Sequence, residues 1–202
     1  VSIAKIQTVQ RSRKEYVCEK CRDVLPVGSQ YRHYTVGFRS KYKHVRCMKD
    51  TCFPRSSELE SSRLSDVYAA QENAEDQLNA LALSSTPDDI SAILEELASA
   101  IREVAEEYEA AAENEYGVVF NQDSADRAEI LQSAADEIEN YDPESDFEEC
   151  EDCEGTGDIV PEDEEEAVDG NVECLTCDGT GKLLTGETID AIVQFITGVE
   201  LP

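Results

Sequence analysis

The chain has 202 residues, an apolar fraction of 40% and no tryptophan, enough for one sizeable domain or two small ones around a modest core. Its net charge is −29, and no apolar run reaches the length of a signal peptide or a membrane span, so neither a secreted nor a membrane-embedded protein is expected. The eight cysteines, grouped in close pairs, read as metal ligands in a reducing compartment rather than as disulfide partners, which points to the cytoplasm.

The charge is unevenly placed. Residues 1–55 hold 13 Lys and Arg against four acids (Glu15, Glu19, Asp23 and Asp50), a net of +9. Residues 56–202 hold 4 basic and 42 acidic residues, a net of −38. A basic module is therefore joined to a strongly acidic body.

To about Cys52 the texture is that of strands. YRHYTVGF alternates around β-branched and aromatic residues, Pro26 and Gly28 mark a turn before it, and GFRSKY supplies a second turn before KHVRC. Short strands clamped by Cys18, Cys21, Cys47 and Cys52 predict a zinc ribbon over residues 1–55.

Beyond Pro54 the texture becomes helical. Ser56 and Ser57 open a helix in which Leu64, Val67, Ala70, Ala74, Leu78 and Leu81 recur at three-to-four spacing, and SSTPDD ends it. Thr86 as N-cap, Pro87 in the first turn and two aspartates at the positive helix end predict a restart. Ile90, Ile93, Leu94, Leu97, Ile101, Val104 and Tyr108 then draw an apolar stripe along a helix reaching about Glu115. A third helix, Ser124 to about Asn140, offers Ala128, Leu131, Ala134, Ala135 and Ile138. Together, residues 56–140 predict an acidic antiparallel hairpin with a shorter third helix packed on it; a homodimer sharing the long helices is the alternative.

Residues 141–202 complete an α+β chain. Tyr141 to Gly170 is acidic enough that extended or mobile backbone is expected, ordered only around its cysteines. A closing helix, about Gly186 to Thr197, carries Ile189, Ile192, Val193 and Ile196 toward the bundle.

The cysteine spacing carries the chemistry. CEDCEGTG at Cys150 to Gly157 returns as CLTCDGTG at Cys174 to Gly181, so Cys150, Cys153, Cys174 and Cys177 form C-x2-C-x20-C-x2-C. Two thiolates separated by two residues reach one tetrahedral zinc from a tight turn, and two such turns close the shell. Gly155, Gly157, Gly179 and Gly181 let the backbone turn back and aim N–H groups at the sulfurs. The N-terminal set, C-x2-C-x25-C-x4-C, is looser but predicts a second structural zinc, with His44 as a less favoured substitute for Cys52.

The repeated C-x2-C-x-G-x-G resembles the cysteine-rich zinc module of DnaJ-type chaperones over roughly residues 150–181. In that family four repeats pair to hold two zincs, so two repeats imply a single zinc here. The chain has no His-Pro-Asp, and chaperone activity is not implied. RSRKEYVCEKC, VGFRSKYKHVRC and SELESSRLSDVYAAQENAEDQL resemble small proteins of unassigned role from bacteriophages of actinobacteria, over roughly residues 10–80. That resemblance implies a phage origin, hence the host cytoplasm, and a zinc ribbon joined to a helical segment, but no reaction.

Arg11, Arg13, Lys14, Arg32, Arg39, Lys41, Lys43 and Arg46 lie among Tyr16, Tyr31, Tyr34, Phe38 and Tyr42. Cations that neutralise phosphates, interleaved with rings that stack on bases, suit a nucleic-acid binder. The bland reading is that the rings pack a small core and the charges solvate it. A non-enzymatic accessory factor that binds nucleic acid or a host nucleic-acid-processing protein is the leading expectation. An acidic DNA mimic that inhibits a host defence protein, or a protein–protein adaptor, are the alternatives. Redox catalysis fits poorly, because the C-terminal dithiols sit among acids that raise a thiol pKa. No Gly-rich phosphate loop, Ser-His-Asp set or H-E-x-x-H occurs.

Overall fold

The computed structural model describes residues 4–37, 40, 42–82, 85–114, 121–159 and 172–202. It is a mixed helix-and-sheet protein that divides into two compact units, Val1–Ala69 and Ala70–Pro202. Residues 87–139, which hold the two longest helices, and the second cysteine group thus belong to one unit.

In the first unit, β1 (Gln7–Val9), β4 (Tyr31–Tyr34) and β5 (His44–Arg46) make an antiparallel sheet in the order β1-β4-β5. Val9 faces Tyr31 across one pair, and Tyr34 faces His44 across the other. A separate hairpin, β2 (Tyr16–Val17) with β3 (Val24–Leu25), carries the first cysteine pair at its turn. Leu25, Tyr31 and Val45 pack with Cys18, Cys47 and Cys52 in one small core. So few apolar residues leave the cysteines as a large part of what this core contains. The turn expected from GFRSKY includes Phe38, Arg39 and Lys41, which lie outside the described residues.

The helix expected from Ser56 onward is interrupted. α1 covers only Ser56–Leu59, and α2 runs Leu64–Leu78, with the unit boundary inside it. Glu60 takes an extended conformation and is buried. Its Oε1 accepts from the Ser61 N–H at 2.8 Å and the Ser62 N–H at 2.9 Å, and Ser62 Oγ accepts from the Leu64 N–H at 3.3 Å. Side chains thus take the donors that a continuous helix would need.

The second unit is built around α3 (Pro87–Asn114) and α4 (Gln122–Glu139). Arg102 pairs with Asp136 at 3.0 Å and with Glu139, while Ala112 lies near Ala128, so the helices run antiparallel. The stripe from Ile90 to Tyr108 is buried within the single chain, as are Ala128, Leu131, Ala134, Ala135 and Ile138 of α4, while Ile93 and Leu97 lie beside Ala70 and Ala74 of α2. Small residues at the contact let the helices approach closely. Thr86 does cap α3: its hydroxyl oxygen accepts from the Asp89 N–H at 3.4 Å, and Asp89 Oδ2 in turn accepts from the Thr86 N–H at 2.8 Å and from its hydroxyl at 2.9 Å.

The segment after Tyr141 is more ordered than its charge suggests. Pro143–Asp146 forms a 3-10 turn opened by the Asp142 side chain, Tyr141 stacks on Phe195 at 4.3 Å, and the Thr188 hydroxyl donates to the Asp146 carbonyl at 2.9 Å. This corrects the expectation of extended backbone over residues 141–146, because an aromatic pair, one cap and a hydrogen bond from Thr188 offset the charge. Residues 160–171 lie outside the described ones. α5 (Gly186–Gly198) closes the unit, with Thr185 as N-cap and Ile192 and Ile196 buried; Gln71 Nε2 donates to the Ile196 carbonyl.

Candidate metal centres and the basic surface

Two groups of four cysteines bring their sulfurs within 4.8 Å of one another: Cys18, Cys21, Cys47 and Cys52, and Cys150, Cys153, Cys174 and Cys177. Each can hold a metal ion. The second group shows how its sequence produces it. β6 (Glu148–Glu149) leads into the first knuckle and pairs with β9 (Lys182–Leu183), which leaves the second. β7 (Asp158–Ile159) leaves the first knuckle and pairs with β8 (Val172–Glu173), which enters the second. The duplicated motif is therefore arranged about a local two-fold axis.

The hydrogen bonds repeat with it. Cys150 N–H donates to the Gly181 carbonyl at 2.9 Å, and Cys174 N–H to the Gly157 carbonyl at 2.8 Å. Gly157 N–H points at Cys153 Sγ at 3.3 Å and Gly181 N–H at Cys177 Sγ at 3.2 Å. Thr156 and Thr180 hydroxyls donate to the Cys153 and Cys177 carbonyls at 2.6 and 2.7 Å. All four glycines have positive φ, 74° to 79°. Gly157 and Gly181 also sit where a Cβ would press into the carbonyl oxygens of Gly179 and Gly155, so close approach of the two knuckles requires them.

Cross-knuckle sulfur separations are 3.8 Å for Cys150 to Cys174 and 3.7 Å for Cys153 to Cys177. A tetrahedral ion with sulfur ligands at about 2.3 Å places its sulfurs about 3.8 Å apart. The donor set thus fits a thiolate-bound ion, and the separations are far longer than the about 2.0 Å of a disulfide.

The first group is built differently. The β2–β3 hairpin supplies Cys18 and Cys21, with Arg22 at φ 63° in its turn. The end of β5 supplies Cys47, and the 3-10 turn Asp50–Cys52 supplies Cys52. Cys21 and Cys47 sulfurs are 3.8 Å apart, and the Cys47 N–H donates to Cys18 Sγ at 3.3 Å.

In both groups one sulfur is favoured as thiolate. Burial raises the Cys18 thiol, but backbone N–H groups of Cys21, Cys47 and Lys20 outweigh it and bring it down to about 6. At Cys174 burial is likewise outweighed, by the N–H groups of Cys177 and Thr176, to about 7. Burial pushes Cys150 up to about 12. At Cys21 the Asp23 N–H acts to lower the thiol, but desolvation and the neighbouring sulfurs carry it up to about 12. A bound cation replaces the remaining protons.

His44 is not among the clustered ligands. Its Nδ1 lies 2.9 Å from Glu19 Oε2, and Tyr34 stacks on its ring at 4.9 Å. Glu19, inside the first C-x2-C, also takes the Arg46 guanidinium at 3.0 Å and the Tyr42 hydroxyl at 3.2 Å, while its N–H donates to the Val45 carbonyl at 3.0 Å. This clamp between knuckle and β5 escapes a reading of spacing alone. The signal for it is a carboxylate within CEKC opposite the cations of KHVR.

The same clamp changes the basic surface. Arg46 is buried between Glu19 and Glu58, which corrects its assignment to an exposed phosphate-binding set. Arg32 is also drawn into the fold: it donates to the Cys47 and Lys49 carbonyls at 3.3 and 3.2 Å and covers the Phe53 ring. Arg11, Arg13, Lys14 and Lys43 are exposed. The first three follow β1 and lie at the Tyr31 end of the sheet, with Lys14 over the Tyr16 ring, whereas Lys43 precedes β5 at the Tyr34 end. Arg39 and Lys41 lie outside the described residues. Among the described residues the basic side chains thus divide between two ends of the sheet.

Comparison of the chain with protein-family models, with curated proteins and with solved structures found no match in any of the three. Among the described residues no helix is long and apolar enough to cross a membrane.

Proposed function

We propose that the chain is a non-enzymatic accessory factor with two structural zinc centres, a ribbon-like one in the basic unit and a DnaJ-like half-module in the acidic unit. The sulfur spacing of 3.7 to 3.8 Å in both clusters carries this reading. Zinc suits an all-thiolate tetrahedral site, and four thiolates leave no coordination position for a substrate. Small cores of this kind gain much of their folding free energy from the ion.

Its partner on this reading is nucleic acid, or a host protein that processes it. Arg11, Arg13 and Lys14 stand exposed on one loop beside Tyr16, in the segment that carries the +9 charge. Such a cluster neutralises phosphates and releases their counterions. The resemblance of residues 10–80 to actinobacterial phage proteins supports a phage origin and action in the host cytoplasm.

The test is titration of fluorescent single-stranded DNA, duplex DNA and RNA with the zinc-loaded full chain at two salt concentrations, beside an R11Q/R13Q/K14Q variant. Binding that weakens with salt is expected, with the salt slope reduced in the variant by up to about 3. No binding at low salt rejects the nucleic-acid reading and leaves a basic protein, met by the acidic unit as a DNA mimic, as the partner to seek.

A further inference from the structure

The two cysteine clusters differ in access. All four cysteines of the second are buried, as are Cys18, Cys47 and Cys52 of the first, at 0%, 5% and 1% exposure, whereas Cys21 is the one of the eight that solvent reaches. Proximity of sulfurs does not separate the clusters, since 3.8 Å separates Cys21 from Cys47 and Cys150 from Cys174 alike. Exposure does, and so does the surrounding charge. Lys20 and Arg22 flank Cys21 and are exposed, and the nearby Asp23 is paired with Lys49 at 2.6 Å. The second cluster is ringed by exposed Glu151, Asp152, Glu154 and Asp178.

We propose that Cys21 is the modification site of this protein: the metal-bound thiolate at which an anionic low-molecular-weight disulfide opens the first centre while the second stays closed. The proposal rests on the metal reading above. Coordination keeps the sulfur deprotonated, and an exposed thiolate among cations is where an anionic electrophile concentrates. Cys21 Sγ attacks one sulfur of the disulfide, forming a mixed disulfide and expelling the other half as a thiolate. Cys47 Sγ, the neighbour at 3.8 Å, then attacks Cys21 Sγ, forming a Cys21–Cys47 disulfide and releasing the second thiolate. Two cysteines are oxidised by two electrons, and the incoming disulfide is reduced to two thiolates. Cys18 and Cys52 alone would then remain to hold an ion in the first centre, too few for a closed shell.

The experiment treats the full zinc-loaded chain with glutathione disulfide, follows zinc with a chromogenic chelator, and maps modified cysteines by peptide mass spectrometry over time. Expected is release of one of two zinc equivalents, with glutathione first on Cys21, then a Cys21–Cys47 disulfide, and reaction at least about tenfold slower at Cys150, Cys153, Cys174 and Cys177. Mapping the intact wild type avoids relying on a Cys21 variant that fails to fold. First modification elsewhere, or simultaneous loss of both zincs, overturns the assignment of Cys21 and leaves the metal reading standing. A zinc count below two before treatment overturns the metal reading, and this proposal with it.

Discussion

A methyl group on Gly157 would lie against the Gly179 carbonyl oxygen, whereas one on Gly155 would meet only the flexible Glu149 side chain at 3.6 Å. Both positions have positive φ, so each alanine substitution incurs backbone strain of about 1 kcal/mol. Only Gly157→Ala also forces the knuckles apart. It should therefore abolish metal retention at the second centre while Gly155→Ala only lowers its melting temperature; equal zinc content in the two variants would show that the close approach is unimportant. In the first unit, Arg46→Met leaves Glu19 and Glu58 without their shared cation and should destabilise by about 3 kcal/mol in denaturant unfolding. Glu19 also gives a pH dependence. Burial raises its pKa, but hydrogen bonds from His44, Arg46 and Tyr42 outweigh this and hold it below the usual carboxylate range. Its contribution is thus complete above the unfolded value and is lost as pH falls through the depressed one. Metal-loaded Glu19→Gln should show a shallower loss of stability than wild type as pH falls through and below the usual carboxylate range, and parallel acid-unfolding profiles would remove Glu19 from that role.

At the scale of elements, α3 shows what a sequence conveys when local signals agree. Thr86, Pro87 and Asp89 fix its start, the apolar stripe fixes its buried face, and the structure follows both. Thr86→Ala should therefore cost about 1 kcal/mol of unit stability, and the contribution of Asp89, whose carboxyl the Thr86 N–H and hydroxyl hold below its usual range, should fade as pH falls through that lowered value. A melting temperature unmoved by Thr86→Ala would mean the cap is replaceable. The cysteine spacing was legible for the same reason: the C-x2-C turn is local, and two of them need only meet. What escaped the sequence depends on distant partners. The break at Glu60 arises where a carboxylate takes N–H groups that helical periodicity assigns to the ladder. The order after Tyr141 depends on Phe195, more than fifty residues away, and the burial of Arg46 on Glu58. A basic residue beside aromatics looks the same in sequence whether it faces phosphate or a buried carboxylate.

At the scale of the molecule, a +9 segment and a −38 segment share one chain, and each contains a four-cysteine group as part of its core or its turns. The first unit packs its few apolar residues directly on its cysteines, so removal of metal should unfold it, while the α3–α4 pair keeps its own apolar contact. Chelation is then expected to remove strand and knuckle structure and leave most helical signal in circular dichroism; complete loss of helix would contradict independent support of the hairpin. Native mass spectrometry of the full chain, purified under reducing conditions, counts bound ions and free thiols in one measurement. Two zinc ions per chain are expected, with all eight cysteines free of disulfides, and stepwise loss of the ions on acidification as thiolates are reprotonated. A metal-free folded chain, or one whose mass shows cysteines joined in disulfides, would contradict the assignment of two zinc centres.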